Sequence, residues 1–270
     1  MSDITYSDNT HPDLNDTGIW RLTISVACDG MTAALRHMED KAAPPVMLFS
    51  SSWPSEEESL LSRIETTVYD HPRILDDFAT EIIIVTPKTL WVPSELLDEE
   101  GAEEKYYTGI YTADPEDILS DPHGSITCLY SLTPGMAAFF GRTLPGCRIR
   151  SHMSVLFDRF STQTSELTRL YVDIRDGAAD FLTFHDRQLI CASTAPWSAP
   201  ADIAYRIFLT ADAYGIDPAA LDIRLSGHRD TKSALASILR DTGLMVTFTP
   251  LPAGIPSEHM TLAMALAMSR

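Results

Sequence analysis

YVDIRDGAADFLTF, residues 171–184, decides the fold. Two strand-like runs, RLYVDIR (169–175) and AADFLTFHD (178–186), flank Asp176-Gly177, and Asp-Gly between apolar runs is the strongest short-range signal for a β-hairpin. Three acids, Asp173, Asp176 and Asp180, share the stretch with Gly177, an order that suits either a plain tight turn or a phosphate-gripping one. Downstream lie the strand QLICAST, the turn APWSAP and a helix over 200–214 that buries Ile203 and Ile207 and stops at Gly215. The buried strand LDIRLSG (221–227) follows. After Gly227 another helix begins, with Asp230 or Thr231 as its N-cap.

The same order of elements occurs earlier in the chain. IWRLTISVA (19–27) runs into Asp29-Gly30 and then MTAALRHM; VMLFS (46–50) is the next strand. A helix follows, with Ser55 as its cap, three Glu in the first turn and an apolar stripe of Leu60, Leu61, Ile64 and Val68. EIIIVTP (81–87) closes the set. Landmarks recur: Arg-Leu at 21 and 169, Asp-Gly at 29 and 176, Trp53 against Trp197. The pattern predicts an internal duplication in an α/β protein, each half a mixed five-stranded sheet with helices. Expected boundaries are a loosely ordered tail over 1–18, a first domain over 19–165 and a second over 166–270, with STQTSE (161–166) as linker. Within the first domain, the acidic LDEEGAEEKYY (97–107) predicts an exposed insertion loop. ITCLYSL and CRIR read as strands, and helices are expected from Pro134 and over HMSVLFDRF.

Composition narrows the function classes. A chain of 270 residues, 44% hydrophobic, can bury two cores. A net charge of −18 argues against a general nucleic-acid or anionic-membrane binder. The one candidate basic patch is GRTLPGCRIRSH, with Arg142, Arg148, Arg150 and His152, extending to Arg159. Cys28, Cys128, Cys147 and Cys191 are too widely spaced for a structural zinc site and read as buried free thiols. No secretory signal and no membrane-length apolar run is present, so a cytoplasmic location is expected. Phosphate-loop, nucleophile-elbow and zinc-helix motifs are all missing. His152 and His228 sit at element boundaries, and His228-Arg229-Asp230 lacks the downstream Asn of a kinase catalytic loop. No catalytic or metal-ligating residue is assigned.

A hairpin, a third strand, a crossover helix and a further strand, occurring twice, resemble the layout of the actin, sugar-kinase and heat-shock-chaperone superfamily. More closely, the chain resembles a bacteroidete family of unknown function with an actin-like ATPase fold. That resemblance rests on VTPKTLWVPSELLDEE (85–100), RSHMSVLFDRF (150–160), and DFLTFHDRQLICAST with the helix PADIAYRIFLTADAYGID and the strand LDIRLSGH. It implies two ribonuclease-H-like domains in an actin-like ATPase arrangement, each lending a hairpin turn to the phosphates of ATP. Candidate ligand-facing residues by this resemblance are Asp29, Gly30, Asp173, Arg175, Asp176, Gly177, Asp180, Ser226 and Gly227.

Working phosphate hairpins carry small residues so that backbone N–H groups approach the anion, and an acid ends the first strand to help hold Mg²⁺. Asp173, Gly177 and Asp180 match that pattern. Arg175 and Asp176 stand where working members usually have glycine, and two like charges about 4 Å apart repel by roughly 4 kcal/mol at an effective dielectric near 20. Ser25 and Ala27 hold the place of the acid in the first hairpin. The expected function is therefore a non-catalytic, protein-binding member with a degenerate phosphate site and no assigned cofactor. The alternative is an atypical nucleotide-binding kinase or ATPase that uses Asp173 or Asp180 for Mg²⁺ and Arg175 for charge neutralisation.

Overall fold

The computed structural model describes residues 14, 16–40, 42–53, 58–163, 167–250, 255–256 and 259–268. The chain divides into two compact units: Met1–Val155 with Ala253–Ile255 and Thr261–Arg270, and Leu156–Pro252 with Pro256–Met260. Most of the expected tail over 1–18, the expected cap Ser55 and linker residues 164–166 lie outside the described residues.

The first unit contains β1 (Trp20–Val26), β2 (Gly30–His37), β3 (Val46–Ser52), α1 (Leu60–Asp70), β4 (Ala79–Ile84), β5 (Thr89–Pro93), α2 (Ala102–Thr108), β6 (Ile118–His123), β7 (Ile126–Ser131), α3 (Met136–Thr143) and β8 (Arg148–Ser151). Its main sheet has the order β3-β2-β1-β4-β8, antiparallel at β3/β2 and β2/β1 and parallel at β1/β4 and β4/β8. Because side chains alternate across a strand, Leu22, Ile24, Ala33, Leu35, Ile82 and Ile84 share a core with Ile64 and Val68 of α1 and Phe139 and Phe140 of α3. Ser59, not Ser55, caps α1: its Oγ accepts the Ser62 N–H at 3.1 Å. A helix, α4 (His152–Phe160), carries the chain across the boundary between the units.

The acidic stretch over 97–107 is not a loop. It ends a 3-10 turn and forms α2, beside the antiparallel sheet β5-β7-β6. The aromatic residues explain the difference: Tyr107 is fully buried with Val92 and Leu129, and Tyr106 and Tyr111 pack on them, leaving the carboxylates on the outer side. The Tyr107 hydroxyl donates to the Lys88 carbonyl at 2.9 Å. Asp121 of β6 accepts the Ser151 N–H at 2.8 Å, tying this inserted module to the start of α4.

Two surface readings need correction. Arg150 is 6% exposed and pairs with Glu81 at 3.7 Å, and His152 is fully buried, so the expected basic patch is split between interior residues and the exposed Arg142 and Arg148. Cys28 is exposed, whereas Cys128 is buried with its thiol pushed up to about 12 by desolvation.

The second unit contains β9 (Thr168–Arg175), β10 (Ala178–His185), β11 (Gln188–Pro196), α5 (Pro200–Ala213), β12 (Leu221–Gly227), α6 (Arg229–Asp241) and β13 (Met245–Phe248). Its sheet order is β11-β10-β9-β12-β13, with antiparallel pairs β11/β10 and β10/β9 and parallel pairs β9/β12 and β12/β13. Order and strand senses are those of the first unit's main sheet. Leu170, Val172, Ile174, Ile223 and Leu225 meet Ile203 and Ile207 of α5 and Leu235 and Leu239 of α6 in one core. His228 caps α6 rather than Asp230 or Thr231, and its Nδ1 lies 3.1 Å from Thr231 Oγ1.

The last helix, α7 (Met260–Met268), is apolar all round and buried over 261–266. Residues from Thr261 on belong to the first unit, whereas the sequence assigned all of 166–270 to the second domain. No helix among the described residues is long and apolar enough to cross a membrane.

The β10–β11 turn is strained. His185 pairs with Gln188, and the two residues between them have positive φ, Asp186 at 43° and Arg187 at 67°. Such a two-residue turn favours Asn-Gly, because an L side chain in the left-handed region costs about 1–2 kcal/mol. Replacing Asp186-Arg187 by Asn-Gly is expected to raise stability by about 1 kcal/mol in urea unfolding; a loss of stability contradicts this turn geometry.

Candidate functional site

The two hairpins are built alike but one residue out of step with the sequence landmarks. In the first, the Ala27 N–H donates to the Gly30 carbonyl at 2.9 Å, so the turn is Cys28-Asp29 and Gly30 already belongs to β2. In the second, Arg175 pairs with Ala178 and the turn is Asp176-Gly177. Asp29-Gly30 and Asp176-Gly177 are therefore not equivalent. Only Gly177, at φ 67°, needs glycine for its backbone conformation; Gly30 is required because a Cβ there would sit 2.5 Å from the Ser51 carbonyl oxygen of β3. Trp53 and Trp197 are true counterparts. Each donates its backbone N–H to the second turn residue, Trp53 to Asp29 at 2.7 Å and Trp197 to Gly177 at 3.1 Å.

Strand register in the second unit assembles a polar row across four strands. Thr194 of β11 lies opposite Asp180 of β10, Asp180 opposite Asp173 of β9, and Asp173 opposite Ser226 of β12. Arg175, two residues beyond Asp173 and hence on the same face, reaches diagonally to Asp180. Its Nε donates to Oδ2 at 2.8 Å and its Nη2 to Oδ1 at 3.0 Å. Thr194 Oγ1 donates to Asp180 Oδ1 at 2.6 Å, and Ser226 Oγ to Asp173 Oδ1 at 2.8 Å. Both carboxylates are buried. Asp173 Oδ2 has no hydrogen-bond partner among the described residues. Burial first, and the Asp180 charge second, push the Asp173 carboxyl up to about 6, against the opposing effects of Ser226, Arg175 and Lys232.

Of the expected residues, the structure thus brings together Asp173, Arg175, Asp180 and Ser226. Asp176 and Gly177 form the exposed turn, and Asp29 is exposed in the first unit's turn. Gly227, at φ 88°, presses on β9: a Cβ there would fall into the Ile174 backbone, while the His228 N–H donates to the Ile174 carbonyl at 2.8 Å. Thr194 was missed for a specific reason. A regular hairpin closing on His185 and Gln188 would set Ser193 against Asp180, but a bulge between Thr183 and Phe184 shifts the register by one. Lys232 of α6 was missed too, since nothing local ties it to Asp173.

In the first unit the corresponding row is Ser50, Thr32, Ser25 and Ile83. Thr32 Oγ1 and Ser50 Oγ lie 3.3 Å apart, and no carboxylate is present in that row.

A magnesium–nucleotide complex needs carboxylate oxygens turned toward the metal and a turn open to phosphate. Asp180 gives both oxygens to Arg175, and the first unit's row offers no acid. These residues do not fit the group. No set of three or more His, Cys, Asp or Glu among the described residues is arranged to hold a metal ion.

A family model described as "Protein of unknown function (DUF3822)" matches residues 13–241. The chain belongs to the DUF3822 family. A Bacteroides thetaiotaomicron protein with actin-like ATPase fold and unknown function superposes at a TM-score of 0.80 and 17% identity, over 95% of this chain and 98% of that one. The PilM-PilN type IV pilus biogenesis complex superposes at 0.57 and 11% identity, over 92% and 97% of the two chains. No curated protein matches. The DUF3822 chain therefore has an actin-like ATPase fold with two domains, as its sequence resemblance implies.

Two predictions follow from this geometry. A carboxyl whose pKa is raised on folding binds its proton more tightly in the folded state, so its contribution favours folding fully below the unfolded pKa near 4 and is lost as pH rises through about 6. Asp173→Asn removes that dependence. The stability of the Asn variant relative to wild type should rise by roughly 2–3 kcal/mol between pH 4 and pH 7 in paired urea titrations; a pH-independent difference contradicts the buried, raised carboxyl. Gly227→Ala should cost roughly 3 kcal/mol or more by the same measurement, through backbone clash and positive φ. A near-neutral effect would mean that β12 does not approach Ile174 so closely.

Proposed function

We propose that this DUF3822 protein is a non-catalytic member of the actin-like fold that works by binding a partner protein, not by hydrolysing ATP. The observation that carries this reading is the bidentate Arg175–Asp180 pair: the chain's own cation takes both oxygens of an acid in the second hairpin. The neutral row through Ser25 in the first unit points the same way. We read the two units, with their matching sheets, as copies of one module that have both lost the phosphate-binding chemistry. A protein–protein role suits the fold: the PilM-PilN neighbour is, by its description, a pilus biogenesis complex. Fold similarity alone would equally suit an ATPase; the Arg175–Asp180 pair at the hairpin is what favours the binding reading.

Thermal unfolding with Mg-ATP, Mg-ADP and Mg-GTP tests the reading. A nucleotide at about 100 times its Kd stabilises by about 2.7 kcal/mol, roughly 5 °C or more in Tm for a chain of this size. The melting curves are expected to coincide with and without nucleotide. A saturable shift of that size, abolished by Asp173→Ala, would overturn the proposal in favour of a nucleotide-binding enzyme.

A further inference from the structure

The misfit between this hairpin and a metal ion has a specific chemical form. Asp173 and Asp180 face each other directly across β9 and β10, both buried, with hydroxyls at the two ends of the row, Ser226 at 2.8 Å and Thr194 at 2.6 Å. Two adjacent buried carboxylates demand a counter-charge, because an uncompensated buried anion is strongly disfavoured. The guanidinium of Arg175, itself only 20% exposed, supplies it through two parallel N–H···O bonds. One carboxylate oxygen, Asp173 Oδ2, has no partner among the described residues. Hard divalent ions of the Mg²⁺ class bind through one or two carboxylates completed by water, which is the donor set left here if the guanidinium is taken away.

We infer that Arg175 is a resident counter-cation standing in a latent divalent-cation site formed by Asp173 and Asp180, so that removing its side chain uncovers binding of a hard divalent metal. This rests on the reading of the hairpin as unable to take Mg-nucleotide, and it adds what replaces the ion. The guanidinium takes both oxygens of Asp180 and lowers the charge that Asp173 faces.

Mn²⁺ alone is the probe, followed by electron paramagnetic resonance at physiological ionic strength, where only unbound Mn²⁺ gives the sharp signal. Wild type, Arg175→Ser and the double variant Arg175→Ser/Asp173→Asn are compared, so that weak binding to the acidic surface is common to all three. The expected result is one additional bound Mn²⁺ in Arg175→Ser, lost again in the double variant. Alongside, Arg175→Ser should melt lower than wild type in EDTA and regain roughly 5 °C or more at saturating Mn²⁺. If Arg175→Ser does not fold in EDTA, recovery of its circular dichroism on refolding with millimolar Mn²⁺ supports the inference. Failure to recover overturns it. A folded Arg175→Ser that binds no more Mn²⁺ than wild type also overturns it, while leaving the partner-binding proposal standing. Saturable wild-type binding of Mg-ATP would remove both.

Discussion

Two buried carboxylates opposite one another on neighbouring strands are the constraint around which the second hairpin is organised. Left alone, Asp173 and Asp180 would repel across β9 and β10 and pull the hairpin toward solvent. Arg175 prevents this from within the same strand, at a diagonal position that the pleat brings onto their face. Removing one member of such a buried pair typically costs about 3–5 kcal/mol, mostly because the other charge is left uncompensated. Arg175 and Thr194 hold Asp180, and Ser226 holds one oxygen of Asp173. Trp197 fixes the strand end, its Nε1 donating to the Arg175 carbonyl at 3.0 Å and its backbone to Gly177.

The first unit solves the same layout without charge. Its hairpin has the same strand order, the same two-residue turn and the same Trp closing contact, yet its row reads Ser50, Thr32, Ser25, Ile83. There, Arg63 lends weight to the turn from outside, donating to the Cys28 carbonyl at 3.2 Å with its guanidinium 5.4 Å from the Trp53 ring centroid. One unit thus neutralises the acids of this row and the other does without them. On the proposed reading, both arrangements belong to a chain that keeps the fold for binding a partner.

Most of the fold was legible in the sequence because it depends on local signals. Alternating apolar residues, Asp-Gly between strand-like runs and the order of strands and helices place the strands of the first main sheet and β9 to β12 of the second within about three residues, whereas the edge strand β13 was not read from the sequence. What escaped depends on contacts made elsewhere. The bulge in the β10–β11 ladder moves Thr194 onto Asp180, and no local pattern announces an extra strand residue. The nucleotide-binding alternative gave Arg175 the neutralising of a ligand's charge, whereas register and burial send it to Asp180. The acidic run over 97–107 hid a helix because Tyr107 finds its partners in β5 and β7, far off in sequence. The Asp29-Gly30 landmark misled by one residue, since β3 requires the glycine and the turn does not.

The most direct measurement is a crystal structure of the protein grown with a non-hydrolysable magnesium nucleotide at high concentration. The account predicts that Arg175 stays bidentate on Asp180 and that no phosphate or metal density appears at the Asp176-Gly177 turn. A metal ion on Asp173 or Asp180, with the Arg175 guanidinium swung away to a phosphate, would contradict it.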